Sequence, residues 1–205
     1  EDAIATKRAD PGDDLLSALI AVEEDGDMLS TAELRDQVTL LYIAGHETTV
    51  NLIGNGTLAL LRHPEQVALL RRDPALVANA VEELLRYDGP VQFSRRILLD
   101  DLELSGTTIG AGEFVFTLLG AANHDPEHFG ADADDLDVTR RLAPQHLGFG
   151  GGIHHCLGAV LARAEARAAF TGLLTRFPDL ALATDAPTWN GRLVLRGLEA
   201  LPVTF

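Results

Sequence analysis

Residues 146–163 read HLGFGGGIHHCLGAVLAR and carry the only cysteine of this 205-residue chain. Cys156 stands where a glycine-rich loop passes into an apolar, helix-patterned run. Backbone N–H groups converge at such a junction and the helix dipole favours negative charge, so a thiolate is favoured there. A thiolate is both a nucleophile and a soft metal ligand. The preceding Gly150, Gly151 and Gly152 offer a backbone without Cβ atoms, able to lie against something bulky and flat. The bland alternative is a small buried hydrophobe, which a free cysteine often is.

A second constellation is AGHETTVN at 44–51. Gly45 leaves room beside a helix, and Thr48 can turn its hydroxyl toward the carbonyl one turn earlier, loosening the helical ladder. Glu47 supplies an acid for proton transfer. Taken alone, the stretch also fits a polar patch on a solvated helix. Glu83 and Arg86 stand three apart, a spacing that pairs them on one helix face and is common on exposed helices. Two rival chemistries use the same cysteine. His154, His155 and Cys156 could bind zinc, but adjacent ligands diverge and no second ligand pair completes four-coordination. A cysteine hydrolase with His124 or His146 as base would leave the Glu47–Thr48 stretch and the glycines without a role.

The elements that must position these residues follow from punctuation and periodicity. EDAIATKRADPGDD reads as linker, and DLLSALIAVEEDGD as a short helix ended by Gly26. Ser30 and Glu33 have capping-box spacing. Nothing then stops a helix from Thr31 to Arg62, about 30 residues or roughly 45 Å. Pro64 and Pro74 each suit a helix start, and the second helix carries an apolar stripe of Val77, Ala80, Val81 and Leu84. Residues 95–119 alternate between Ser105-Gly106 and Gly110–Gly112 turns, predicting short strands. Residues 120–150 read as a long irregular segment. The run after Cys156 predicts a helix with Leu157, Leu161, Ala164, Ala168 and Leu173 in register, stopped at Phe177-Pro178. The tail 188–205 reads as one more hairpin. The expected class is mainly α with a small β portion.

Net charge is −15, from 16 basic and 31 acidic residues, which argues against nucleic-acid binding. One thiol makes no internal disulfide and fits a reducing, cytoplasmic setting. No apolar run approaches the ~18 residues of a membrane span, and no signal peptide stands out. The chain begins at Glu1, so its true start is expected upstream.

Phe149, Gly152, Cys156 and Gly158 stand in the order F-x-x-G-x-x-x-C-x-G. This resembles the haem-binding signature of the cytochrome P450 family, in which the cysteine thiolate is the proximal ligand of haem iron. Gly150 and Gly151 complete the loop, Gly151 standing where the family often has His or Arg. Ala44 to Thr49 is similar to the family's distal-helix motif, with Glu47 and Thr48 as the implied catalytic pair and Ala44 beside the cofactor. The resemblance implies that Glu83 and Arg86 are buried and joined by an arginine before the cysteine loop, Arg140, with Arg141 the adjacent alternative. It assigns Arg96 and His154 to the haem propionates, with Arg95 and His155 as neighbouring competitors. It places Leu40, Ile43, Ala44, Val91, Gln92, Phe93, Val194 and Leu195 at the substrate. The implied fold is the family's C-terminal half, matched from about Asp14 to Phe205 within a single domain portion 1–205, with 1–13 a linker or frayed. The N-terminal half has no counterpart in the sequence and counts as an expected partner.

The implied reaction inserts one atom of O2 into a lipophilic substrate, using haem b and electrons from NAD(P)H through a ferredoxin or flavodoxin-like donor. The alternative is a haem-binding or interaction module that is catalytically incomplete without the N-terminal half. Arg163 and Arg167, four apart, form a candidate docking pair for an acidic donor; pairing with Glu165 or other nearby acids is the ordinary alternative.

Overall fold

The computed structural model describes residues 2–24, 29–141 and 143–205. It divides into two compact units, one ending at Glu47 and the other running from Thr48 to Phe205.

The first unit holds α1 (Asp2–Ala9), α2 (Leu15–Glu24) and the opening of α3 (Thr31–Arg62). The segment expected to be linker is therefore helical over α1. Its single large apolar residue explains this: Ile4 packs with Ile20 and Leu34, and Lys7 pairs with Asp14 at 2.6 Å. Asp14 accepts a hydrogen bond from the backbone N–H of Ser17 at 2.9 Å and so starts α2. Gly26, the expected stop of α2, lies outside the described residues. The capping box forms as the spacing requires. The Ser30 N–H donates to Glu33 at 2.8 Å, and the Glu33 N–H donates to Ser30 Oγ at 3.3 Å.

The second unit contains the rest of α3, then α4 (Pro64–Arg72), α5 (Val77–Asp88), α6 (Leu119–Ala122), α7 (Pro126–Phe129) and α8 (Ala159–Arg176). Its core joins Leu52, Ala59 and Leu60 of α3, Val67 and Leu70 of α4, the whole predicted stripe of α5, and Ala166 and Phe170 of α8. Of the stripe expected along α8, Leu173 alone packs against the core. Leu157 and Leu161 are 89% and 62% exposed, Ala164 and Ala168 are exposed, and Ala159, Ala166 and Phe170 face inward. Alanine and leucine surround this helix on all sides, so periodicity discriminates poorly; the bulkiest side chain decides. Phe170 presses onto α3 at Gly56, where a Cβ would come within 2.6 Å of the ring.

The strands are short and antiparallel: β1 (Ser94–Ile97) with β4 (Phe114–Thr117), β2 (Leu102–Leu104) with β3 (Thr107–Ile109), and β5 (Ala181–Leu182) with β6 (Val203–Thr204). Ser105 and Gly106 join β2 to β3 with φ of 49° and 78°, the left-handed pair that a tight hairpin requires. The tail folds back through a Trp189–Leu198 bridge, as a hairpin should, while β6 returns to β5. The fold is mainly helical with small sheets, and the expected irregular segment 120–150 is shaped by α6, α7 and a helical turn at Ala143–Gln145.

Candidate functional site

The cysteine loop leaves Phe149 and reaches α8 at Gly158, the residue that caps the helix. Gly150 and Gly152 have φ of 69° and 62°, conformations that side-chain-bearing residues rarely adopt. The Cys156 N–H donates to the Phe149 carbonyl at 2.9 Å and closes the loop. Cys156 is a free, exposed thiol, which removes the buried-hydrophobe alternative. Around it Ile153, Leu157 and Val160 are also exposed, although apolar. Cβ atoms at 151 and 152 would meet nothing within 4 Å. An exposed sulfur, an open glycine backbone and outward-facing aliphatic side chains together form a surface suited to a flat apolar ligand.

A cleft of about 470 Å³ is lined by Arg95, Arg96, Ile97, Phe114 and His154. It brings Arg96 and His154 together, as the resemblance implies, with Arg95 beside them. His155 turns to the Phe149 ring instead, 6.2 Å between centroids. Arg96 also donates to Ser94 Oγ and to the Arg95 carbonyl. Two cationic side chains and an imidazole beside aliphatic and aromatic walls match a group that is apolar in its body and carboxylate at its edge. The residues present therefore fit haem.

Behind the loop, Glu83 and Arg86 are fully buried. Arg86 Nε and Nη2 donate to the two Glu83 oxygens at 2.7 and 2.8 Å. Its remaining N–H groups go to the carbonyls of Asn123, Ala133 and Asp135. Arg140 Nε reaches Glu83 at 3.2 Å, whereas Arg141 is exposed. Arg140 also donates to the carbonyls of Phe129, Asp132 and Asp135. Two arginines on one buried carboxylate thus hold the chain between α6 and the cysteine loop.

A second buried network escaped the sequence reading. Glu82, next to Glu83, takes a bidentate pair from Arg163 at 2.7 and 3.0 Å and a contact from His146 at 3.2 Å. Burial would raise its carboxyl pKa, but the hydrogen bonds from His146 and Arg163 outweigh this and pull it down to about 2. Arg163 lies 4.5 Å over the Phe149 ring. Arg163, its side chain 26% exposed, is therefore paired with an acid, Glu82, while Arg167 is exposed. The signal lay in the adjacent acids of the E-E-x-x-R stretch, which stand four and three residues before Arg86, so that spacing alone does not say which of them holds it.

The substrate-facing candidates fall into two groups. Val91 bridges Leu195, the Gln92 N–H donates to the Val194 carbonyl at 3.0 Å, and Phe93 meets Phe116 edge to face. These five positions converge. Leu40, Ile43 and Ala44 are exposed on the first unit's part of α3, followed by Glu47; Thr48 opens the second unit. Gly45 is exposed, and a Cβ there would meet nothing within 4 Å.

The rival chemistries lack their parts. Both ring nitrogens of His124 are engaged, with Asp134 and the Tyr87 carbonyl, and both of His146, with Glu82 and the Gly148 N–H, so neither has a nitrogen left to serve as base. Among the described residues no three His, Cys, Asp or Glu side chains are grouped to hold a metal ion, which removes the zinc cluster. No helix among them is long and apolar enough to cross a membrane.

Comparison with known proteins gives a consistent result. The family profile of cytochrome P450 matches residues 3–188. Cytochrome P450 107B1 of Saccharopolyspora erythraea is 51% identical over 98% of this chain and 50% of its own length. The vitamin D(3) 25-hydroxylase of Pseudonocardia autotrophica is 51% identical over the whole chain and 51% of its length. The tirandamycin C-bound P450 monooxygenase TamI superposes with a TM-score of 0.93 at 47% identity, covering 98% of this chain and 51% of that one. P450BioI, solved with an acyl carrier protein bearing hexadec-9Z-enoic acid, gives 0.93 at 47% identity over 100% and 52%. The chain spans about half the length of the curated relatives it matches. With an exposed cysteine on a glycine loop and a paired buried arginine frame behind it, the chain belongs to the cytochrome P450 family.

Proposed function

We propose that this chain is the cysteine-bearing half of a haem-thiolate monooxygenase, which inserts one oxygen atom of O2 into a lipophilic substrate and reduces the other to water. The observation that carries the reading is the exposed Cys156 on an open glycine loop, with Arg96 and His154 sharing one cleft. Haem b, held by Cys156 with Arg96 and His154 at its carboxylates, would supply the oxygen-activating redox chemistry. Phe149, Gly150, Gly152 and Gly158 shape the loop so that the sulfur projects from it. Glu83, Arg86 and Arg140 keep that loop in place. Ala44 and Gly45 leave space beside α3, while the Glu47 carboxylate and the Thr48 hydroxyl carry protons inward. The resemblance makes Leu40 and Ile43 of the first unit, and Val91, Gln92, Phe93, Val194 and Leu195 of the second, the substrate-facing positions; they are largely apolar, which favours a lipophilic substrate. Electrons come from NAD(P)H by way of a ferredoxin or flavodoxin-like donor in the cytoplasm.

A second reading has its own support. Ile97, Phe114 and Phe116 stand more than half exposed on the β1–β4 pair, an apolar surface suited to another part of the same fold. On that reading the chain binds haem but turns over only when joined to its N-terminal half. Haemin is added to the chain, which is then reduced under carbon monoxide. A strongly red-shifted Soret band supports thiolate ligation, and its absence refutes it. Turnover that appears only on adding the other half selects the second reading.

A further inference from the structure

Glu82 has no part in the Glu83–Arg86–Arg140 frame, yet it is buried and takes two residues of its own. Its Oε1 accepts from Arg163 Nε at 2.7 Å, and its Oε2 accepts from Arg163 Nη2 at 3.0 Å. His146 Nδ1 accepts the Gly148 N–H at 2.9 Å. That bond assigns the imidazole proton to Nε2, which donates to Glu82 Oε2 at 3.2 Å. The cluster thus holds one negative charge, one positive charge and a neutral ring.

All three residues converge on the start of the cysteine loop. The Arg163 guanidinium covers the Phe149 ring at 4.5 Å, and the His146 ring lies 5.5 Å from it. The carbonyl of Phe149 accepts the Cys156 N–H. Arg163 is held charged first by its hydrogen bonds to Glu82, against the opposing effect of burial; the charge of Glu82 adds to this, and so does that of Cys156. A bare guanidinium in this place would draw electron density away from the sulfur.

We propose that Glu82 is a charge-compensating positioning residue: it neutralises Arg163 and, with His146, clamps it on Phe149, so that the Cys156 sulfur keeps its electron density. The inference rests on the haem-thiolate reading for its consequence, since that density is what the ligand supplies to iron. Uncompensated positive charge near the ligand favours the ferrous state, and a charge about 10 Å away in protein shifts a one-electron equilibrium by roughly tenfold, ~59 mV.

Four versions of the chain test this: parent, Glu82→Gln, Arg163→Gln and the double variant. Loaded with haemin, Glu82→Gln should favour the ferrous form about tenfold at fixed potential, and Arg163→Gln should move the opposite way. The double variant should return toward the parent. A readout without haem uses Cys156 as the only thiol: alkylation by iodoacetamide at neutral pH should be severalfold faster in Glu82→Gln, slower in Arg163→Gln and restored in the double variant. Single variants that shift both readouts in the same direction, or a double variant that stays displaced, would reduce Glu82 to a packing role and overturn the proposal. So would unchanged potentials and rates. If the parent with haemin shows no red-shifted carbonyl band, the haem-thiolate reading fails, while the alkylation series still decides whether Glu82 compensates Arg163 at the sulfur.

Discussion

Replacing Arg86 by Met tests the frame behind the cysteine loop. Arg86 has five N–H groups and uses all of them: two on Glu83, two on the carbonyls of Asn123 and Ala133, and one on that of Asp135. Methionine keeps much of the stem's packing but donates nothing. The Asp135 carbonyl retains Arg140 Nη2 at 3.2 Å, and Glu83 retains Arg140 Nε and the Asp137 N–H. The carbonyls of Asn123 and Ala133 each lose this donor. Breaking a buried ion pair from one side costs about 3–5 kcal/mol, and each stranded buried acceptor about 1 kcal/mol or more. Partial cover by Arg140 brings the expected loss to about 4 kcal/mol, against a typical total of about 5–15 kcal/mol. Arg86→Lys, with three donors on a single point, should lose about half as much. Urea unfolding followed by circular dichroism measures both. The exposed neighbour gives the control: Arg141→Met should stay within about 0.5 kcal/mol of the parent. An Arg86→Met chain within about 1 kcal/mol of the parent would refute the reasoning.

Glu82 predicts an acid limb. Its ordinary carboxyl value of 4.5 is pulled down to about 2 in the fold, so the stability it adds is complete above pH 4.5 and drains as the pH falls toward 2. About 3 kcal/mol is at stake, and Glu82→Gln should flatten that part of the stability–pH curve. Gly56→Ala puts a methyl within 2.6 Å of Phe170 and 3.1 Å of Leu84, and should cost about 1–3 kcal/mol in thermal or urea unfolding. Cys156→Ser should abolish the red-shifted carbonyl band even where haem is retained. In the complete enzyme, Glu47→Ala or Thr48→Ala should lower product formed per NAD(P)H consumed; an unchanged yield would remove the proton-transfer role.

The cysteine loop was legible because its needs are local. Positive φ at Gly150 and Gly152 and a helix start at Gly158 are conditions that neighbouring residue types announce. The Ser30–Glu33 cap and the α5 stripe were legible for the same reason. Partners distant along the chain were not. Nothing in their spacing tells Glu82 from Glu83, although one holds Arg163 and the other Arg86 and Arg140. The buried face of α8 was hidden by alanine on every side, and the opening helix by having Ile4 as its one large apolar residue. In each case the deciding contact lies on another element.

The Arg86 bonds also set a schedule for synthesis. Their carbonyl partners lie 37, 47 and 49 residues further along the chain. At about 5–20 residues per second, a ribosome takes roughly 2–10 seconds to deliver the last of them. During that interval α5 can form, because helices close in about a microsecond, but its guanidinium must stay hydrated and the side of α5 that carries it cannot be sealed. Cys156 emerges later still, onto a frame whose acceptors have only just arrived.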